Sequence, residues 1–349
     1  MLKATKNPTR RSYRIPYQGS KNAIADQLIG QMLQRKPKAK YFIDLFGGGG
    51  AMSFQALHAG LKVVYNEKDV RLVKLLKLIK KRVLTRKKSE YGLLPASYYK
   101  FVSKETFTKH INEETAYAGF LGACYSFGNN FRCYAFSKVN EEYKHTLHQI
   151  IVYKCKKSVK LLNEKFNCNY QVSDLPTINE RRLHLRIFLG KLEKKINLQR
   201  NKLSMLQSLE SLENLERMTQ LERMTQLEGI QNLTNTQLKL FECCAERGLK
   251  DLEILNLSYE EVLERYNYND DEVIIYCDPP YKSTEGYTIK FDYKEFLKYL
   301  LDTKYSFFIS EYDMPAPFEK CCSIFKEKLF SSKGVTGLAE EKLFIKKHI

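Results

Sequence analysis

Two patterns of hydrophobic and polar positions alternate along the chain. Short, almost continuous apolar runs predict buried strands: Tyr41 to Leu45, the start of KVVYNEKD, Val273 to Cys277 in EVIIYCDPPY, and Ser306 to Tyr312 (SFFISEY). Between them lie stretches of helical periodicity. Ala51 to Leu57 follows the glycine run Gly47–Gly50 and stops near Gly60. From Arg71 to Lys88, Leu72, Leu75, Leu76, Ile79 and Val83 fall on one helical face among nine basic residues and no acid, which predicts an amphipathic helix with a basic outer face. Strands alternating with helices predict an α/β fold with a doubly wound, Rossmann-like parallel sheet. CSIFKEKLF and EEKLFIKKHI, on either side of SSKGVTG, predict a closing β-hairpin.

About 200 residues between the two strand blocks break this alternation. From about Arg86 to Pro176 the chain is rich in Tyr, Phe, Asn and Lys and contains AYAGFLGACYSFGNNFRCYAF. That mixture suits contact with bases and phosphates, and an ordinary aromatic core is the plainer alternative. From about Glu180 to Arg247 LERMTQ occurs twice in tandem, at 215–220 and 221–226, with apolar residues every third position from Leu203 to Leu233. The composition favours helix. The period does not, because three residues advance about 300° on an α-helix and the stripe winds around the rod. A helical spacer or partner surface is the reading adopted, with a small solenoid as its competitor. The resulting division joins 1–85 with 249–349 in one α/β domain and separates a mostly helical 86–179 region and a Leu-rich repeat insertion at 180–248.

Charge narrows the partners. The chain has 349 residues, 58 Lys and Arg against 40 Asp and Glu, and a net charge of +18, which points to a polyanion. No apolar run approaches the length of a membrane span, and no apolar segment follows the basic N-terminus, so neither a membrane protein nor a secreted one is expected. The nine cysteines are irregularly spaced and form no CxxC pair, and His145 and His148 lack partners for a zinc site. Reduced thiols, no metal and a cytoplasmic location are the expectation.

The densest chemistry is Asp278-Pro279-Pro280-Tyr281. It follows a buried strand, hence the carboxyl end of a parallel sheet, where such folds bind ligands. The prolines remove two backbone donors and leave carbonyls to accept. An ionised carboxylate and a carbonyl beside an aromatic face suit an exocyclic amino group on a planar base. Accepting its hydrogens raises electron density on nitrogen for attack on a methyl group, and a base in duplex DNA would have to be flipped out to reach it. The DLFGGGG loop lets a ligand approach the backbone but lacks GxGxxG spacing. Glu67, at the end of the next strand, is placed to accept from ribose hydroxyls; an exposed loop carboxylate is the bland alternative.

With DLFGGGG, YNEKD and DPPY in this order, the sequence resembles the Dam-type adenine-N6 DNA methyltransferases, especially bacteriophage members, over most of the chain outside the repeat. The resemblance implies S-adenosylmethionine as cofactor and double-stranded DNA as substrate. It implies that Lys21, in YQGSK, pairs with the methionine carboxylate and that Tyr17 lines the pocket. Asp44, Phe46, Gly47 and Gly49 match the Gly-rich cofactor motif, and Glu67 the ribose ligand. Asp278 and the Pro279 carbonyl would hold the target amine, with Tyr281 stacked on the flipped adenine. Asn129, Asn130 and Arg132 become candidate DNA contacts. One departure stands out: Ser258-Tyr259 occupies the place of an Asp-aromatic pair that contacts the cofactor's adenine ring, which predicts weakened cofactor affinity. Transfer to cytosine N4 or to RNA, and a non-catalytic DNA-binding protein with this fold, are the alternatives.

Overall fold

A computed structural model describes residues 15–172, 174–203, 248–280, 291–327 and 338–346. Seven strands form one sheet: β1 (Tyr41–Asp44), β2 (Lys62–Asn66), β3 (Leu252–Leu255), β4 (Val273–Cys277), β5 (Phe307–Glu311), β6 (Glu319–Glu327) and β7 (Leu338–Lys346), in the order β3-β2-β1-β4-β5-β7-β6. The first five are parallel, and β7 runs antiparallel to both β5 and β6. The fold is Rossmann-like and closes in a hairpin, as the patterning predicts. Strand β3 was missed: the exposed Glu253 breaks its apolar run, whereas β1, of the same length, is buried from Phe42 onward.

Alternation along the strands divides the core. Phe42, Val63, Tyr65, Ile274, Tyr276 and Phe308 face one way. Against them pack α1 (Ala25–Arg35), α2 (Ala51–His58) and α3 (Val70–Leu84). Ile43, Val64, Ile275, Cys277, Phe307 and Ile309 face the other way. Covering both faces with apolar side chains is what makes β1, β4 and β5 read as unbroken apolar runs.

Helix α3 corrects the expected basic face in part. Lys74, Lys77 and Lys81 are exposed, but Arg71 and Arg82 are buried among the leucines. Each is satisfied there: Arg71 pairs with Asp69 and the Ile111 carbonyl, and Arg82 donates to the Leu93 carbonyl. A buried guanidinium persists only with such partners.

Four helices follow: α4 (Lys104–His110), α5 (Ala116–Tyr125), α6 (Lys138–Tyr153) and α7 (Lys156–Phe166), each of the first three opened by a Ser or Thr whose hydroxyl accepts a first-turn N–H. Helix α5 packs on α3 so closely that a Cβ at Gly119 would lie 2.3 Å from the Arg71 carbonyl oxygen. Phe107, Phe120, Tyr125, Phe136 and Leu147 belong to the same hydrophobic cluster as the sheet face. The aromatic richness of this stretch is thus mainly core. Helix α8 (Ile178–Leu203) runs into the start of the 180–248 stretch, and the tandem repeat lies outside the described residues. The last two helices are α9 (Tyr259–Arg265) and α10 (Tyr293–Asp302). Among the described residues no helix is long and apolar enough to cross a membrane.

Candidate active site

Strand order reverses between β1 and β4: the chain leaves β1 for β2 and β3 on one side, then returns to β4 on the other. A crevice opens at such a switch point, outside the carboxyl ends of the strands. Here it is a cavity of about 410 Å³. All nine residues expected to hold a cofactor line it: Tyr17, Lys21, Asp44, Phe46, Gly47, Gly49, Glu67, Ser258 and Tyr259. Asp278 and Pro280 join them, Pro279 is buried behind the wall, and Tyr281 lies outside the described residues.

The glycine loop forms the floor because side chains would not fit. A Cβ on Gly47 would lie 2.2 Å from the Tyr65 ring, and one on Gly49 would lie 2.3 Å from the Ile15 carbonyl oxygen. Tyr65 cannot swing away, since it is fully buried and its hydroxyl donates to the Gly48 carbonyl at 2.7 Å. The Gly47 N–H donates to the Asn66 carbonyl. The Asn66 side-chain amide donates to the Leu45 and Leu257 carbonyls, tying the ends of three neighbouring segments together. Asn66 was passed over in the sequence although it stands in YNEKD.

Glu67 is buried, so the exposed-carboxylate alternative fails. Its oxygens accept from the backbone N–H groups of Gly48 at 2.7 Å and Asp69 at 2.8 Å. Burial pushes its carboxyl above the usual range, partly offset by these donors. Asp44, at the tip of β1, accepts from the Ser53 hydroxyl at 2.7 Å through Oδ2. Its Oδ1 is buried and has no protein partner. Burial first, then repulsion from Asp278 and Glu67, pushes its carboxyl up to about 7, against the pull of Ser53.

Lys21 is 3% exposed. Its Nζ donates to both Asp278 oxygens at 2.7 Å and lies 3.4 Å from Glu341 on β7. Burial alone would lower its pKa, but the charges of Asp278 and Glu341 outweigh burial and raise it. The residue expected to meet a cofactor carboxylate is thus engaged with the expected catalytic carboxylate. Glu341 was not anticipated; its only signal was EKLFI, legible as a strand without a role. Glu311, at the end of β5, is also buried, and burial with the nearby Asp278 charge raises its carboxyl.

The far wall is aromatic. Tyr259 lies 6.3 Å from Phe46 ring to ring, and Phe291 meets Phe46 edge-on at 5.5 Å. Ser258 caps α9: its hydroxyl oxygen accepts from the Glu261 N–H, and the Glu261 carboxylate accepts from the Ser258 N–H. The serine therefore has a local structural task besides any contact with a ligand. Seven acidic side chains and two lysines line the cavity among the described residues. In a chain of net charge +18 the cavity is thus locally acidic, which complements a positively charged group.

The three residues expected to touch DNA sit in one loop, Ser126 to Arg132. Arg132 is exposed. The Asn129 amide donates to the Ala123 carbonyl, and Asn130 Oδ1 accepts from the N–H groups of Arg132 and Cys133. Both asparagines thus spend hydrogen-bonding capacity shaping the loop. Phe127, which the sequence reading did not single out, is 68% exposed.

Residues 17–179 and 194–313 match the D12 class N6 adenine-specific DNA methyltransferases. The chain belongs to that family. It is an adenine-specific DNA methyltransferase, and DNA is its substrate. The matched segments carry the whole lining of the crevice and end just after β5, so the hairpin and Glu341 lie beyond them. No curated protein matches the chain.

Proposed function

We propose that the protein transfers a methyl group from S-adenosylmethionine to adenine N6 in double-stranded DNA, with the adenine flipped into a pocket formed by Asp278, Pro279, Pro280 and Tyr281. One observation carries the reading: Asp278, at the carboxyl end of β4, opens into the same cavity as Glu67 and the glycine loop. The motif order resembles the Dam type within the family.

The residues fit the cofactor. The cavity volume falls in the range of small-molecule sites. The unpartnered Asp44 Oδ1 can accept from an ammonium group, the acidic lining complements a cation, and Phe46 and Tyr259 offer faces to a purine. Glu67, with its orientation fixed by two backbone donors, can accept from ribose hydroxyls through its remaining lone pairs.

When bound, the cofactor supplies an activated methyl group. Asp278 and the Pro279 carbonyl would accept hydrogen bonds from the two amine hydrogens, which concentrates the nitrogen lone pair on the attacking side; as the N–CH3 bond forms and the S–CH3 bond breaks, one of those protons would leave by Asp278 to solvent, with S-adenosylhomocysteine as the other product. Asp278 keeps lone pairs for this beside its bonds to Lys21, and Glu341 offers the Lys21 ammonium a second partner. Tyr281 stacks on the flipped ring. Rate enhancement comes from positioning and from acceptors fixed in advance, without a covalent enzyme intermediate.

The test is transfer of labelled methyl from S-adenosylmethionine to unmethylated duplex DNA, followed by nucleoside analysis. N6-methyladenine is expected, and Asp278→Ala should lose about a hundredfold or more in turnover while still binding cofactor. Label in N4-methylcytosine, transfer only to RNA, or full activity in Asp278→Ala would overturn the assignment.

A further inference from the structure

Phe131 lies in the loop Ser126 to Arg132, which is expected to meet DNA, and touches Tyr17 of the cavity lining. Its backbone is left-handed, with φ 61°, between Asn129 at φ 56° and the exposed Arg132. For a bulky aromatic residue such a conformation costs about 1–3 kcal/mol and persists only when its surroundings dictate it. Here they do. The Phe131 N–H donates to the buried Ser126 hydroxyl at 2.9 Å. Arg71 sets its guanidinium 5.3 Å from the ring centre and reaches the Phe131 carbonyl at 3.5 Å. A Cβ on Gly122 would lie 2.0 Å from the ring, so the glycine is what makes room for it.

Two walls of the cavity end on this one side chain. On the first, Tyr17 covers the glycine loop, where a Cβ on Gly48 or Gly49 would meet it at 2.9 Å, and its ring meets Phe131 edge-on at 5.8 Å. On the second, Glu67 accepts from the Asp69 N–H, the Asp69 carboxylate grips Arg71 through Nε and Nη2, and Arg71 rests on Phe131. Because Glu67 also accepts from Gly48, the contacts close into a ring: glycine loop, Tyr17, Phe131, Arg71, Asp69, Glu67 and back.

We propose that Phe131 is a positioning residue that couples occupancy of the cofactor cavity to the conformation of the DNA-facing loop. The proposal rests on the reading of the cavity as the S-adenosylmethionine site. A ligand that fixes Tyr17 and Glu67 fixes both supports of Phe131, and through it the placement of Phe127 and Arg132. Coupling of this kind is reciprocal: DNA on the loop tightens cofactor binding by the factor by which cofactor tightens DNA binding.

The test uses the full chain and S-adenosylhomocysteine, which carries no transferable methyl, titrated calorimetrically with and without saturating unmethylated duplex DNA. In the parent protein DNA should tighten binding by about fivefold or more, the lower range of measured couplings. In Phe131→Leu that ratio should fall to near one, with affinity in the absence of DNA within about twofold of the parent, whereas Phe131→Tyr should restore it. A merely structural role would instead weaken S-adenosylhomocysteine equally with and without DNA. That result, an unchanged ratio in Phe131→Leu, or no coupling in the parent would overturn the proposal. Failure of the parent to bind S-adenosylhomocysteine would overturn the reading of the cavity itself.

Discussion

Lys21→Met isolates the electrostatic balance of the site. The parent side chain pairs with two carboxylates at once, and the methionine nearly matches its length while removing the charge. Lys21 and Glu341 are 3% and 7% exposed, whereas Asp278 is 20% exposed. Removing one member of a fully buried pair costs about 3–5 kcal/mol. Asp278 can regain some hydration at its exposed edge, so the expected loss is at the lower end, about 3 kcal/mol. The loss must also depend on pH. Without the ammonium, the negative charge of the two buried carboxylates is uncompensated, so the variant loses most where both are ionised and least at acid pH, where protonation removes that charge. In the parent, the raised pKa of Lys21 has its own sign: its contribution is complete below 10.5 and disappears only above that value. Urea denaturation at pH 5 and pH 8 should therefore show a deficit that widens with pH. Adding Glu341→Gln should return part of it, leaving the double variant more stable than the sum of the singles by about 1 kcal/mol. A deficit independent of pH, or strict additivity, would refute the claim that Lys21 is held by charge.

Three further perturbations probe other parts of the site. Asp44 has a folded pKa near 7 against an ordinary 3.8, so it stabilises the fold below about pH 4 and progressively ceases to as pH rises through 7; Asp44→Asn should gain stability relative to the parent between pH 5 and 8, and a flat difference would count against its burial as a charge. Gly47→Ala drives a methyl to within 2.2 Å of the pinned Tyr65 ring and should cost about 1–3 kcal/mol and weaken cofactor binding together, as read by thermal melts and calorimetry. Ser258→Ala should lose about 1 kcal/mol through the cap of α9, whereas Ser258→Asp keeps the cap and should tighten cofactor; unchanged affinity in Ser258→Asp would remove the predicted role of this position in binding the adenine ring.

What the sequence discloses depends on how locally each feature is determined. Strands β1, β4 and β5 announce themselves because burial on both faces demands unbroken apolar runs, and the glycine loop because four glycines in a row have few other uses. Strand β3 is broken by the exposed Glu253, and its register is set by Val63 to Asn66 on the neighbouring strand, not by its own composition. The aromatic segment before Phe136 was legible as special but not sorted, since a ring that packs a core and a ring that faces DNA are the same letter. Burial separates Phe131 from Phe127, and burial comes from α3 and α5, some 60 residues and about 10 residues away in sequence.

The least legible feature is the partnership of Lys21 with Asp278 and Glu341, which joins three segments more than 250 or 300 residues from the first. Each residue alone reads as an ordinary charge. Their juxtaposition follows from topology: the crevice lies at the carboxyl end of β4, Lys21 lies just before α1 beside it, and β7, inserted antiparallel between β5 and β6, brings an acidic residue back toward the same end of the sheet. A parallel strand in that place would have its amino end elsewhere and a different residue at the crevice. The antiparallel hairpin, the one departure from a parallel sheet among the described strands, is thus what supplies Lys21 with a second anion.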